Sequence, residues 1–326
     1  MYVSIKILAV FFITAIFLSQ TINCDYCNQS IERSYVSFEG KNYHNECYEN
    51  HIRIKCNYCG LAIDGKFIVS DNNKYHQKCF VDHVQLRCDL CSGLIDGRYF
   101  SDYWGNKYHS YHLQNDAQCD YCGRFISAHL TKGGSKYNDG RVICKLCEST
   151  SIRNSYKAED VFRNVRASLE SSGIIIDYER IELRLVDKNE LEQITSKEEK
   201  SGDTRGFVQY TYYKSNGKIT SRRFTVYLLS GMPQKDFEAA AAHELMHVWQ
   251  YLNCSDKLDL LLSEGSAEYA AFIHMSKYQD QYSKYILHNI ENNKDAVYGE
   301  GFRRIKKFTD RNSFDEMLRM LKRSNR

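Results

Sequence analysis

The chain has 326 residues, of which 43% are apolar, enough for one catalytic domain of ordinary size with smaller modules attached. The formal net charge of +3 is too small to indicate nucleic-acid binding, and no such partner is expected. The single proline, Pro233, excludes a proline-rich linker, whereas thirteen cysteines indicate either disulfides or metal sites.

The first 23 residues have the pattern of an export signal. Lys6 precedes an apolar run over residues 7–18, interrupted only by Thr14, and polar residues follow up to Asn23. The run is shorter than the roughly 20 apolar residues that a membrane-spanning helix needs. The pattern therefore predicts a signal peptide over residues 1–23, no membrane span after its removal, and a secreted or periplasmic protein. A lipidated Cys24 fits the preceding residues less well.

The next part of the chain carries an internal repeat of metal-ligand type. Four Cys-x-x-Cys pairs begin 32, 32 and 31 residues apart, and each is followed by a second pair of cysteine or histidine with two residues between its members. We call each set of four a knuckle. The four sets are Cys24, Cys27, His44 and Cys47; Cys56, Cys59, His76 and Cys79; Cys88, Cys91, His109 and His112; and Cys119, Cys122, Cys144 and Cys147.

The ligand count favours zinc over disulfides. Twelve cysteines and four histidines make four closed tetrahedral sets, and only Cys254 is left over. A disulfide framework, the alternative that export would favour, does not explain histidine in register with cysteine. We expect four structural zinc ions, with short β-hairpins between the ligand pairs, because such small units need metal binding to fold.

This region, residues 24–150, resembles LIM domains, which pair two zinc knuckles. It departs from them in the linkers, at residues 48–55, 80–87 and 113–118, where a standard LIM domain has two residues. LIM domains bind proteins, so the resemblance implies a possible protein partner and a role in substrate docking or regulation. It implies no catalysis.

Residues 151–326 are predicted to form a second, α+β domain, in which a small sheet precedes several helices. Helical spacing marks residues 155–171, with Gly173 as a stop, and a long pattern begins after Pro233. Asn216-Gly217 marks a hairpin turn. The predicted strands are 174–176, 181–186, 206–214 and 222–229, and the other predicted helices are 234–252, 257–277 and one or more within 281–326.

The long helix carries the catalytic pattern. Residues 243–247 read His-Glu-Leu-Met-His, so His243 and His247 lie on one helical face and can bind one zinc, with Glu244 beside them as general base. A catalytic zinc needs a third protein ligand and an open position for water. From spacing alone, Glu264 and Glu268 both qualify, and each could instead be a solvated residue.

The pattern resembles gluzincin metallopeptidases, in which a glutamate followed by glycine on a second helix is the third ligand. That resemblance implies Glu264 as ligand and Glu268 as the residue that orients a ligand histidine. Together with the knuckles, it resembles a family of LIM-containing peptidases, first known as ubiquitin-activated regulators of plant organ size and also occurring in bacteria. Matching segments are Cys119–Cys122, residues 139–141, Cys144–Cys147, Asp203-Thr204-Arg205-Gly206, residues 243–249, Leu252-Asn253 and residues 263–265.

The resemblance implies a zinc endopeptidase with one catalytic and four structural zinc ions, acting on protein or peptide substrates. We carry over this chemistry but not the ubiquitin regulation. Glu244 would take a proton from the attacking water and pass it to the leaving amine. A hydrogen-bond donor to the transition state is expected, and tyrosine is the candidate residue type. The alternatives are a non-enzymatic zinc-knuckle module that binds proteins and, less in keeping with the ordered spacing, a zinc store.

Overall fold

The computed structural model describes residues 4–6, 11–13, 22–177, 180–196, 205–216, 218–254 and 258–323, the first two segments by their backbone alone. Most of the predicted signal peptide lies outside these residues. The chain forms two compact units. The first comprises Met1–Ser101 and Asn106–His112, and the second Asp102–Gly105 and Leu113–Arg326.

The first unit contains three of the knuckles, each built on one antiparallel hairpin as the sequence predicts. In each hairpin the second strand ends at the ligand histidine. The hairpins pair Tyr35–Phe38 with Lys41–His44, Phe67–Ser70 with Asn73–His76, and Tyr99–Ser101 with Lys107–His109. Phe11–Ile13 and Ser4–Lys6 add a strand to the first and second hairpins. Helical turns Asn45–Cys47 and Gln77–Cys79 follow, continued by π-helical turns Tyr48–Ile52 and Phe80–Val84.

The fourth knuckle belongs to the second unit. Its hairpin pairs Gly134–Lys136 with Val142–Cys144, and short helices Ala128–Thr131 and Lys145–Glu148 flank it. Cys119, Ile143 and Cys147 are buried in the same hydrophobic core as Phe237 and Leu245 of the C-terminal half. The domain limits 24–150 and 151–326 stay predictions, but packing groups this knuckle with the residues that follow it.

A three-stranded sheet forms one layer of the second unit. Strands β1 (Ile181–Val186), β2 (Gly206–Ser215) and β3 (Lys218–Leu229) lie in the order β1-β3-β2. The predicted hairpin is confirmed, since β2 and β3 are antiparallel, whereas β1 runs parallel to β3. Two-residue strands Ser151–Ile152 and Met232–Pro233 pair nearby.

The predicted strand at residues 174–176 is wrong. Ile174 and Ile176 are buried and Ile175 is exposed, as in a strand, but the segment pairs with no strand among the described residues. Instead, the Arg166 guanidinium donates a hydrogen bond to the Ile176 carbonyl at 2.7 Å.

Seven longer helices in the described part of the second unit confirm its α+β class. They are α1 (Ser155–Glu170), α2 (Lys188–Ser196), α3 (Gln234–Asn253), α4 (Leu260–Met275), α5 (Gln281–Glu291), α6 (Tyr298–Thr309) and α7 (Phe314–Arg323). Helix α3 packs against α4 and the sheet, so Leu245, Val248 and Trp249 are buried. Among the residues described, no helix has the length and apolar character needed to cross a membrane.

Candidate metal centres and catalytic site

The structure brings together each predicted knuckle set. Within every set, one ligand atom from each of the four residues lies within 4.8 Å of all the others. In the first knuckle, His44 Nδ1 lies 3.4 Å from Cys27 Sγ and 3.9 Å from Cys47 Sγ. Zinc bond lengths place tetrahedral sulfur and nitrogen ligands about 3.3–3.8 Å apart. The clusters therefore fit zinc in both donor type and spacing.

The knuckle histidines are oriented by the main chain. The Nε2 atoms of His44, His76 and His109 lie 3.2, 2.9 and 3.0 Å from the carbonyl oxygens of Ser30, Ala62 and Leu94. A carbonyl oxygen can only accept, so Nε2 carries the proton and Nδ1 presents its lone pair to the sulfur atoms. The same carbonyl hydrogen bond in three knuckles therefore orients each histidine with Nδ1 available as a metal ligand.

The first cysteine of each of these knuckles is prepared as a thiolate. Burial would raise the pKa of Cys24, but hydrogen bonds from the backbone N–H groups of Cys27 and His44 lower it to about 6. The same arrangement lowers the pKa of Cys56 and of Cys88 to about 6. Since zinc binds the thiolate, these backbone donors favour metal binding at neutral pH.

The fourth knuckle differs by its burial. Its four cysteines are all buried, and Cys122 Sγ lies 3.7 Å from Cys144 Sγ. All thirteen cysteines of the chain are free, including Cys254, so none of the clusters is held by disulfides.

The predicted catalytic ligands also meet. The Nε2 atoms of His243 and His247 are 3.1 Å apart, and Glu264 Oε2 lies 3.3 Å from each of them. Tetrahedral zinc with nitrogen and oxygen ligands needs edges of about 3.3 Å, so this triangle fits one zinc. Burial opposes ionisation of Glu264, but hydrogen bonds and charges from the two histidines hold its pKa well below the ordinary value.

The second ring nitrogen, Nδ1, of each histidine also has a polar partner. Glu268 Oε1 lies 3.2 Å from His243 Nδ1, which is the arrangement predicted for an orienting residue. Gln250, which the sequence analysis did not single out, places Oε1 2.9 Å from His247 Nδ1. Gln250 Nε2 in turn donates to the Ser263 carbonyl and the Ser266 hydroxyl on α4, so His247 is tied to the helix that carries Glu264.

Two more residues complete the site. The carboxylate of Glu244 is buried beside the main chain of Gly206, where β2 begins. Tyr298 begins α6, and its ring centroid is 6.1 Å from that of His243. Burial and the negative charges of Glu264, Glu244 and Glu268 raise the pKa of Tyr298 above its ordinary value. No local signal distinguishes Tyr298 among twenty-five tyrosines.

Comparison with known proteins gives one distant relative in the plant family that the sequence resembles. The chain is 23% identical over 282 residues to Protein DA1-related 7 of Arabidopsis thaliana, a match that covers 67% of this chain and 49% of the relative. The chain thus spans about half the length of this curated relative. No protein-family model matches the chain.

Proposed function

We propose that the chain is a zinc-dependent endopeptidase that hydrolyses peptide bonds of protein substrates. The observation that carries the proposal is the triangle formed by His243, His247 and Glu264, with the Glu244 carboxylate next to it. Three ligands on two helices leave a fourth tetrahedral position, which distinguishes a catalytic zinc site from the four-ligand knuckles.

In the proposed mechanism, the residues of the site transfer the proton, stabilise the transition state and orient the metal ligands. When bound, zinc supplies a Lewis acid that polarises the scissile carbonyl and lowers the pKa of water. Glu244 accepts the proton of the attacking water and delivers it to the leaving amine. Tyr298, protonated and close to His243, donates a hydrogen bond to the carbonyl oxygen as negative charge develops there. Glu268 and Gln250 hold the histidines in the ligating orientation.

An extended segment of the substrate would pair with β2. Among the described strands, β2 lies at the edge of its sheet, and its first residue adjoins Glu244. Addition of a substrate strand to this edge would supply main-chain hydrogen bonds with little sequence preference. This mode suits a peptidase that acts on unfolded or extended protein segments.

The knuckles would recruit or regulate rather than catalyse. In the first two, an exposed tyrosine stacks on an exposed histidine: Tyr26 on His51 at 4.3 Å and Tyr58 on His83 at 4.2 Å between ring centroids. Exposed aromatic side chains at repeated positions support protein docking. Secretion or a periplasmic location, the signal peptide and bacterial relatives remain predictions.

Zinc analysis combined with a cleavage assay tests the proposal. Full-length protein purified without chelators should contain five zinc ions per chain and cleave fluorescently labelled casein. Glu244→Gln should keep its zinc but lose about 10²–10⁴-fold in turnover, the usual contribution of a general base. Glu192→Gln, at an exposed position of α2, is the matched control and should remain active. Zinc-loaded wild-type protein that cleaves neither casein nor a peptide library would support the non-enzymatic alternative.

A further inference from the structure

The motif Asp203-Thr204-Arg205-Gly206 contains no proposed metal ligand or proton-transfer group. Its first two residues lie outside the described part of the chain, but Arg205 and Gly206 are placed. Gly206 touches the general base: a Cβ built on it would lie 2.8 Å from both Cγ and Oε1 of Glu244 and 2.7 Å from Leu228 Cδ2. Only glycine leaves the Glu244 side chain in its observed position.

Arg205 is anchored to the first turn of the catalytic helix. Its Nη1 atom donates to Asp236 Oδ1 at 2.8 Å, and the Tyr282 hydroxyl donates to Asp236 Oδ2 at 2.7 Å. Asp236 is only 2% exposed. A carboxylate this deeply buried needs partners to remain charged. The Arg205 carbonyl also accepts a hydrogen bond from the Leu229 amide at 3.1 Å, which fixes the main chain beside β3.

Arg205 and Gly206 are neighbours in the chain and contact two different turns of α3. The Arg205 side chain binds Asp236 and the Gly206 main chain packs against Glu244, and these two acidic residues are about 12 Å apart along the helix. The start of β2 is therefore fixed along two turns of the helix. Asp236 is also linked to the fourth knuckle, because the Tyr282 hydroxyl that donates to it lies 3.7 Å from Cys147 Sγ.

We propose that Arg205 is a positioning residue of the peptidase site: its ion pair with Asp236 holds Gly206 against Glu244. This holds the general base in its productive orientation and the substrate-binding edge of β2 in register with it. The inference rests on the proposed peptidase function. A misplacement of the base by an ångström is enough to slow a reaction by orders of magnitude, so the pair affects turnover although neither residue is a proposed metal ligand or proton-transfer group.

The test uses full-length, zinc-loaded protein and labelled casein. Arg205→Gln should lower kcat at least tenfold while zinc content stays normal, and Arg205→Lys should restore part of the loss. Asp236→Asn should also lower kcat, and the double variant should lose less than the sum of the two single losses, because both substitutions remove the Arg205–Asp236 contact. Gly206→Ala should also lower kcat, because its added Cβ would displace the Glu244 side chain. Arg184→Gln, which removes an exposed ion pair with Glu182 on β1, is the control and should leave kcat unchanged.

A second readout separates positioning from general stability. Hydrogen–deuterium exchange of the segment 205–210 should accelerate in Arg205→Gln, while exchange in β1 stays as in the wild type. Unchanged exchange there, or a kcat within twofold of wild type, overturns the positioning role, as does additivity of the two single variants. Wild-type protein that carries zinc but cleaves nothing rejects the peptidase proposal itself, which is a different result from an active wild type with an equally active Arg205→Gln.

Discussion

The main chains of Gly265 on α4 and Gly301 on α6 are in direct contact: a Cβ built on Gly265 would lie 2.2 Å from the carbonyl carbon of Gly301. Any side chain at either position would push the two helices apart. Because Glu264 precedes Gly265 and Tyr298 begins α6, this crossing sets the distance between the third ligand and the proposed transition-state donor.

Gly265→Ala should therefore damage stability and the metal site together. We expect a loss of about 1–3 kcal/mol or more in the free energy of unfolding, typical of overpacking, together with loss of catalytic zinc. Thermal unfolding and zinc analysis measure the two effects. Leu260→Ala, exposed at the start of the same helix, should change neither. Normal zinc content in Gly265→Ala would mean that the crossing does not position Glu264.

The proposed ligand role of Glu264 can be separated from the proposed orienting role of Glu268. Glu264→Gln weakens a ligand that contacts both histidines, so one zinc ion should be lost along with activity while the four knuckle ions stay. Glu268→Gln leaves the triangle intact and should weaken zinc binding by about 10–100-fold. Zinc competition titrations on both variants measure the affinity of the catalytic site and so distinguish the two roles. Full zinc and activity in Glu264→Gln would transfer the ligand role to Glu268.

Gln250 should matter for zinc affinity without touching the metal. Gln250→Ala removes the partner of His247 Nδ1 and three hydrogen bonds to α4, so catalytic zinc should dissociate about 10–100-fold more readily. Asn253→Ala is the matched control, because Asn253 Nδ2 donates only to the Trp249 carbonyl of its own helix in the described structure. Equal zinc dissociation constants in both variants would contradict this orienting role.

The fourth knuckle should be needed for the catalytic unit, unlike the second. Cys119→Ser disturbs a buried metal site inside the core that contains Phe237 and Leu245, so it should lower the unfolding temperature of the second unit and abolish peptide cleavage. Cys59→Ser changes an exposed ligand in the first unit and should spare cleavage of a short peptide. Calorimetry and a peptide assay on full-length variants compare them. Equal activity would show that the chain can be divided at residue 150.

Local spacing was sufficient for every proposed metal ligand except the third catalytic one. A Cys-x-x-Cys turn directs two thiolates to one point, and histidines four apart share a helical face. The knuckle sets and the pair His243 and His247 could therefore be grouped from the sequence, and the structure brings each group together. Helix α3, which carries His243 and His247, was also predictable from the sequence, because apolar periodicity is a local property.

The remaining features depend on contacts between residues far apart in the chain. Spacing alone leaves both Glu264 and Glu268 as candidates. The packing of α4 on α3 places the Glu264 carboxylate against both histidines and the Glu268 carboxylate at Nδ1 of His243, on the other side of that ring. Tyr298 approaches His243 only because two glycines allow α6 to cross α4 closely. The burial of the fourth knuckle likewise depends on packing. Its two ligand pairs are 21 residues apart, against 16 or 17 in the other three knuckles, but this spacing does not by itself indicate that it joins the core of the second unit. Sequence spacing specifies which residues share a turn, but the positions of helices relative to one another depend on how the whole core packs.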